Sequence, residues 1–266
     1  MARQSRFHGS RSEIHDGSTV LETKNLTIRF GGHVAVDGVS CAFQPGTLTA
    51  IVGPNGAGKT TYFNLISGQL PASSGEVWLD GENLTAQPAP VRTRRGLGRA
   101  FQLTQLFAHL TVLENVRLAV QARRGMGLKL LSVWLSHREL VQEAEGILKR
   151  VRLDHRATDF AASLPHGDQR KLEVAMLIAL DPKVYLFDEP TAGMSVDEVP
   201  VVLDLIRALK AEKKHTLLLV EHKMDVVREL ADRIIVLHQG KLVADGDPAT
   251  VIASPVVQEA YLGVAA

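Results

Sequence analysis

Leu48-Thr49-Ala50-Ile51-Val52-Gly53-Pro54-Asn55-Gly56-Ala57-Gly58-Lys59-Thr60-Thr61 is the stretch whose reading decides the fold. Residues 53–61 fit the spacing G-x-x-x-x-G-K-[ST], a loop that cradles nucleotide phosphates. Leu48 to Val52 reads as a strand before the loop, and Thr60 to Ser67, ending at Gly68, reads as a helix after it. Strand, glycine loop and helix in that order are the context the motif needs. Glycines let backbone N–H groups converge on phosphate oxygens, and the helix N-terminus adds partial positive charge. Lys59 is expected to reach the β- and γ-phosphates and the Thr60 hydroxyl to bind Mg2+. A glycine-rich turn matching by chance is the plainer alternative, and these flanks count against it.

Around this loop, the 266 residues suffice for one large domain or two smaller ones. Lys and Arg total 30 against 29 Asp and Glu, so no global field points to nucleic acid or an anionic membrane. The single cysteine, Cys41, excludes an internal disulfide and agrees with a reducing cytosol. No apolar run approaches the ~20 residues of a membrane span. The polar start, residues 1–19, lacks an apolar signal-peptide core and is expected to be a loose tail.

Val20 to Phe30 and Val34 to Phe43 read as two strands around Gly31-Gly32. Phe30 is either sheet core or an aromatic face for an adenine ring. Glu76 to Gly81 reads as a strand and its turn. The cluster Arg92, Arg94, Arg95 and Arg99 reads as a solvated face, and Arg99 to Gln102 closes a short strand. From Leu103 to about Leu164 a helical pattern is expected, with Leu140, Val141, Ala144, Ile147, Leu148 and Val151 on one stripe. Such a block inside an α/β chain suggests an inserted helical subdomain.

Leu172 to Leu180 reads as a buried helix stopped by Asp181-Pro182, and Val184 to Phe187 as a buried strand ending in Asp188-Glu189. Ser195 and Glu198 have capping-box spacing, so a helix is expected from Ser195 to about Lys210. Thr216 to Val220 reads as a strand that delivers Glu221-His222. Arg233 to Ala244 reads as a hairpin around Gln239-Gly240, and Pro248 to Leu262 as helical.

Hydrolysis of ATP needs a metal ion to gather phosphate oxygens, a group to orient water, and charge stabilisation around the γ-phosphate. Asp188 closes an apolar strand, where its carboxylate can join Thr60 in the Mg2+ shell. Adjacent strand residues point opposite ways, so Glu189 can attend the attacking water. The plainer alternative, a surface turn after a strand, loses weight downstream of such a loop.

Taken together, residues 20 to 262 resemble the ATP-binding subunits of ABC transporters. The resemblance rests on six elements in the family's order: Phe30, Gly53–Thr61, Gln102, Leu164-Pro165-His166-Gly167-Asp168-Gln169-Arg170, Val184–Glu189 and His222. It implies a P-loop NTPase (RecA-like) α/β core, with an N-terminal antiparallel β subdomain and an inserted α-helical subdomain. The core would take residues 20–103 and 174–266, and the helical subdomain about 104–173. It further implies that Phe30 stacks on adenine, that Lys59 and the loop backbone bind phosphate, and that Thr60, Asp188 and Gln102 serve Mg2+. Glu189 would be the general base, His222 would contact the γ-phosphate, and Gln102 would be a hinge between nucleotide and membrane partner.

The same resemblance implies two ATPase subunits packed head to tail around two ATPs, each signature completing the other's site. Two integral membrane permease subunits and a substrate-binding protein would complete an importer on the cytoplasmic face of the cell membrane, with no nucleic acid. The signature departs from the family's Leu-Ser-Gly-Gly-Gln: Pro165, His166 and Asp168 replace Ser, Gly and Gln. Pro165 removes a hydroxyl and a backbone donor, and Asp168 is expected to bring negative charge near the partner's phosphate. Pro nonetheless suits a first helical turn, and the N–H groups of His166 and Gly167 remain. Ala192-Gly193-Met194, the ending Pro255 to Gly263 and the insertion between Glu114 and Ser163 resemble the subfamily for branched-chain amino acid uptake. Urea, amide and aromatic-acid importers and lipopolysaccharide export are alternatives. A soluble ABC-type ATPase would usually bring paired domains, coiled coils or zinc cysteines, and a P-loop kinase or GTPase would leave Gln102, the signature and His222 unexplained.

Overall fold

The computed structural model describes residues 20–100, 106–126 and 138–262. The expected tail of residues 1–19, Gln102 and Gly263 lie outside the described residues. Strands β1 (Leu21–Phe30) and β2 (His33–Phe43) form the expected hairpin, with Phe30 opposite His33. Strand β3 (Leu48–Val52) passes through the glycine loop into helix α1 (Lys59–Ser67), which ends at Gly68 in the left-handed region. Strands β4 (Ser74–Leu79) and β5 (Glu82–Asn83) return to the other edge of β1, giving an antiparallel sheet in the order β2-β1-β4-β5.

Helix α2 (Ala89–Arg94) leads into β6 (Leu97–Ala100), and α3 (Val112–Arg123), α4 (Arg138–Arg150) and α5 (His166–Leu180) follow. The chain then alternates through β7 (Val184–Asp188), α6 (Val199–Ala211), β8 (Thr216–Val220) and α7 (Met224–Leu230). A hairpin of β9 (Arg233–His238) and β10 (Lys241–Gly246) precedes α8 (Pro248–Ile252) and α9 (Pro255–Leu262). The second sheet has the order β10-β9-β3-β8-β7-β6, parallel except for β10.

Alternation along these strands assigns the core. Leu186 and Leu218 pack with α1 and the antiparallel sheet. Tyr185, Phe187, Leu217 and Leu219 pack on the opposite face with residues of α3 to α6. Both faces of the parallel sheet are therefore covered, which is why β3, β7 and β8 are buried along their whole length and read as nearly continuous apolar runs. Each such Leu, Val or Phe contributes about 1.5–3 kcal/mol by leaving water.

Three expectations change. The helical pattern does not run through to Leu164: after α4 the chain turns at Arg152, φ 56, and passes through two short 3-10 turns. There Thr111 and Phe160 form an antiparallel bridge, and backbone bonds join Val112 to Asp159 and Ala161 to Leu110, so these donors go to a partner segment. Second, Ser195 is not the cap of α6. That helix begins at Val199 behind Glu198, with a turn from Ser195 leading into it. The capping-box contact is half made, because the Glu198 carboxylate accepts from the Ser195 backbone N–H and hydroxyl.

Third, the arginine cluster is not one solvated face. Arg94 and Arg95 are exposed, but Arg92 and Arg99 are buried. Arg92 donates to the carbonyls of Leu65 and Ile66 at the end of α1, both at 2.7 Å, and to those of Gln87 and Thr85. The last carbonyls of a helix lack intrahelical donors and carry partial negative charge, which a guanidinium satisfies. Burial pulls the Arg92 pKa down to about 10, still well above neutral pH.

Candidate nucleotide site

The phosphate loop is shaped by three glycines at positive φ: Gly53 at 151, Gly56 at 78 and Gly58 at 98. Two of them are forced by crowding as well. A Cβ on Gly53 would lie 2.1 Å from the Leu237 carbonyl oxygen, and one on Gly58 would lie 2.4 Å from that of Ala35. The β9–β10 turn closes against the same loop. Gly240 N–H donates to the Ala57 carbonyl at 3.0 Å, and Asp37 N–H donates to the Gly240 carbonyl at 2.8 Å. The loop is thus held between β2 and the last hairpin, with Asn55 and Gly56 at the surface.

Lys59 is buried in this loop, its ammonium donating to the carbonyls of Gly53 at 2.7 Å and Pro54 at 3.0 Å. Burial lowers its pKa, and the negative charges of Glu189 and Asp188 oppose that shift. Thr60 and Thr61 follow on the first turn of α1, both half-buried. Phe30 is 51% exposed at the end of β1, so its ring is not sheet core.

Asp188 ends β7 and is almost wholly buried. Arg99 donates to its Oδ2 at 2.6 Å, while Oδ1 has no hydrogen-bond partner among the described residues. Burial raises the carboxyl pKa, and the Arg99 charge and hydrogen bond pull it back. The next residue, Glu189, takes φ 50, uncommon for a residue with a side chain. In that conformation its Oε1 accepts from His222 Nε2 at 2.6 Å, both side chains being partly exposed. Glu221, also buried, accepts from the Thr191 hydroxyl at 2.6 Å and the His222 N–H at 2.8 Å. That carboxylate ties the loop after Glu189 to the strand end that carries His222.

The signature residues stand apart on α5. Pro165 is its N-cap, with no side-chain capping bond, and Pro165 and His166 are exposed. Asp168 differs from expectation. It is buried, its Oδ1 accepting from Lys171 at 2.8 Å and its Oδ2 lying 3.1 Å from Arg156 Nε. Its charge is neutralised within the subunit, so it is not offered to a phosphate outside. Gly167 is covered by Glu198: a Cβ there would lie 2.1 Å from both carboxylate oxygens. Lys171 also faces Glu198, at 3.6 Å.

The structure brings the loop, Lys59, Asp188, Glu189 and His222 into one electrostatically linked region at the carboxyl ends of the parallel strands, where open α/β sheets bind ligands. Gln102 lies outside the described residues. Sequence reasoning missed Arg99, Glu221 and Glu198. Glu221 had a signal in its place beside His222 at the strand end; Arg99 had none beyond its position on a short strand before Gln102.

The ABC transporter family matches residues 36–192, and the branched-chain amino acid ATP-binding cassette transporter family matches residues 241–266. The high-affinity branched-chain amino acid transport ATP-binding protein BraF of Pseudomonas aeruginosa is 37% identical over 253 residues, covering 92% of this chain and 98% of that protein. The LivG protein of Escherichia coli K12, described in the same words, is 36% identical over 251 residues with the same coverage. Among solved structures, a nucleotide-free ATP-binding cassette from an ABC transporter superposes with TM-score 0.78 at 30% identity, covering 92% of this chain and 100% of that one. A cassette in its ADP conformation gives 0.77 at 29%, covering 92% and 99%. The chain belongs to the ABC transporter ATP-binding family, in the group of branched-chain amino acid cassettes.

Proposed function

We propose that this chain is the ATP-hydrolysing subunit of an importer for branched-chain or related amino acids. The observation that carries this reading is the joining of Lys59 in its glycine loop, the buried Asp188 and the Glu189–His222 pair at the carboxyl ends of β3, β7 and β8. A second ATPase subunit, two membrane permease subunits and a substrate-binding protein are its proposed partners, with this subunit on the cytoplasmic face of the membrane. Among the described residues, no helix is long and apolar enough to cross a membrane. Residues of about 104–173 act as the helical subdomain that meets the permease, and Gln102 as the hinge into it.

Mg2+ fits the residues present. Among the described residues Asp188 Oδ1 is a buried oxygen without a partner, and the Thr60 hydroxyl supplies a second hard oxygen ligand, the donor type this ion prefers. When bound with ATP, Mg2+ neutralises charge on the phosphate oxygens. Lys59 and the loop N–H groups hold the phosphates, and the exposed ring of Phe30 stacks on adenine. Glu189, held through Oε1 by His222, uses its other oxygen to take a proton from the attacking water. The water oxygen bonds to the γ-phosphorus, the bond to the β–γ bridging oxygen breaks, and ADP and phosphate result. His222, adjacent to Glu189, contacts the γ-phosphate when nucleotide is present.

The exposed start of α5 completes the partner's site. Pro165 lacks the hydroxyl and N–H that Ser would bring there, so this chain completes its partner's site less well than it uses its own. Purification of the native complex, with identification of the small molecule its binding protein carries, tests the substrate class. A bound urea, amide or aromatic acid would replace the branched-chain assignment. ATP hydrolysis by the assembled complex, lost on Glu189→Gln while ATP-dependent pairing persists, tests the chemistry.

A further inference from the structure

Building on the reading of Asp188 as a metal-side acid, we propose that Arg99 is its positioning residue: the guanidinium pins one carboxylate oxygen and leaves the other for the nucleotide's divalent cation. Strands β6 and β7 run parallel in register, with Arg99 beside Leu186 and Ala100 beside Phe187. Across this pairing Arg99 Nη2 donates to Asp188 Oδ2 at 2.6 Å. Nη1 turns to α1 and the residues just after it, donating to Asn64 Oδ1 at 2.7 Å, Ser67 Oγ at 3.0 Å and, past the helix end, Gln69 Oε1 at 3.1 Å. The guanidinium carbon also lies 5.7 Å from the Phe63 ring centroid. The two ion-paired side chains are 5% and 0% exposed.

This arrangement does more than hold a sheet to a helix. The terminal torsion of an aspartate is broad and two-fold, so an unpinned carboxylate presents either oxygen in a range of directions. One Arg99 contact removes that freedom at Asp188, and among the described residues Oδ1 stays buried without a partner. The other contacts grip the second half of α1, whose first turn carries Lys59 and Thr60. A single side chain therefore fixes the spacing between the acid and the hydroxyl proposed to share one cation. Planar, forked donors suit this task, and a lysine ammonium cannot reproduce it.

The test uses the full chain with ATP and Mn2+, the metal observed by electron paramagnetic resonance, alongside ATP binding in EDTA and thermal melting. Arg99→Met should raise the Mn2+ concentration for half-saturation of the ATP complex by about tenfold or more, the usual effect of losing a group that orients a metal ligand. ATP binding in EDTA should persist, and Arg99→Lys should recover only part of the metal affinity. Asn64→Ala, which removes one α1 contact and leaves Asp188 pinned, should lower the melting temperature without moving the Mn2+ titration. If Arg99→Met lowers the melting temperature and leaves that titration at the parent value, Arg99 is a strut alone and the proposal fails. Should the methionine variant not fold, the lysine variant is judged by the same titration. An Mn2+ titration unaltered by Asp188→Asn would instead overturn the assignment of Asp188 itself.

Discussion

Helix α1 enters from Gly58, held at φ 98 against the carbonyl of Ala35, whereas α5 enters from Pro165, with Gly167 held against the carboxylate of Glu198. The first start is enclosed by backbone from β2 and β9 and holds a buried lysine. The second is open at Pro165 and His166, and its nearby charges, Asp168, Lys171, Arg156 and Glu198, face one another. One start thus encloses a buried lysine in backbone, and the other has its charges paired within the chain. On the proposed reading, the first grips the subunit's own nucleotide and the second meets a partner's.

The largest effect should fall on chemistry at the α1 end. Glu189→Gln should cut ATP turnover of the assembled complex by about 10²–10⁴-fold, the usual worth of a general base, whereas Asp168→Asn should leave turnover close to the parent value. An equal loss from both would erase the contrast between the two starts. Next comes Gly58→Ala, which meets a backbone oxygen and a left-handed φ together. It should cost about 3 kcal/mol of stability by denaturant unfolding.

Gly167→Ala should cost less, about 1 kcal/mol, because the obstruction is a side chain that can move. In a Glu198→Ala background that cost should vanish, and the shortfall from additivity in unfolding measurements reports the contact directly. Pro165→Ser restores one hydroxyl and one N–H at the open start. It should raise turnover of the complex by roughly two- to tenfold, the worth of a single hydrogen bond, and an unchanged rate would mean that α5 already completes its partner fully.

The smallest effect is a pH dependence. Hydrogen bonds from the Ser195 N–H and hydroxyl hold the Glu198 pKa below its ordinary 4.5. A carboxyl depressed by folding stabilises at higher pH, so this contribution should be whole at neutrality and fade as pH falls from 4.5 through the folded-state value. Unfolding free energy followed across that window should slope less in Glu198→Gln.

Legibility from sequence followed how local each signal was. The strand, loop and helix around Lys59, the buried strands β7 and β8, and the hairpin at Gln239-Gly240 all stood where patterning put them. Each is set by neighbours within a few positions: apolar runs, glycines and turn residues. Arg92 and Arg99 were misread because their partners are helix-end carbonyls and an aspartate far away in the chain, and a charge says nothing about who neutralises it. Asp168 was misplaced for the same reason. Its partner Lys171, three residues on, was a visible helical neighbour, but Arg156 and the burial were not. Ser195 and Glu198 had the right spacing and made one of the two capping contacts, while the helix waited for Val199.

The bond from Gly240 N–H to the Ala57 carbonyl means that the glycine loop does not close by its own sequence alone. Its glycines set the curve, but the latch is supplied by a turn far along the chain. A change that slackened the β9–β10 turn would therefore loosen the loop while leaving every one of its own residues in place.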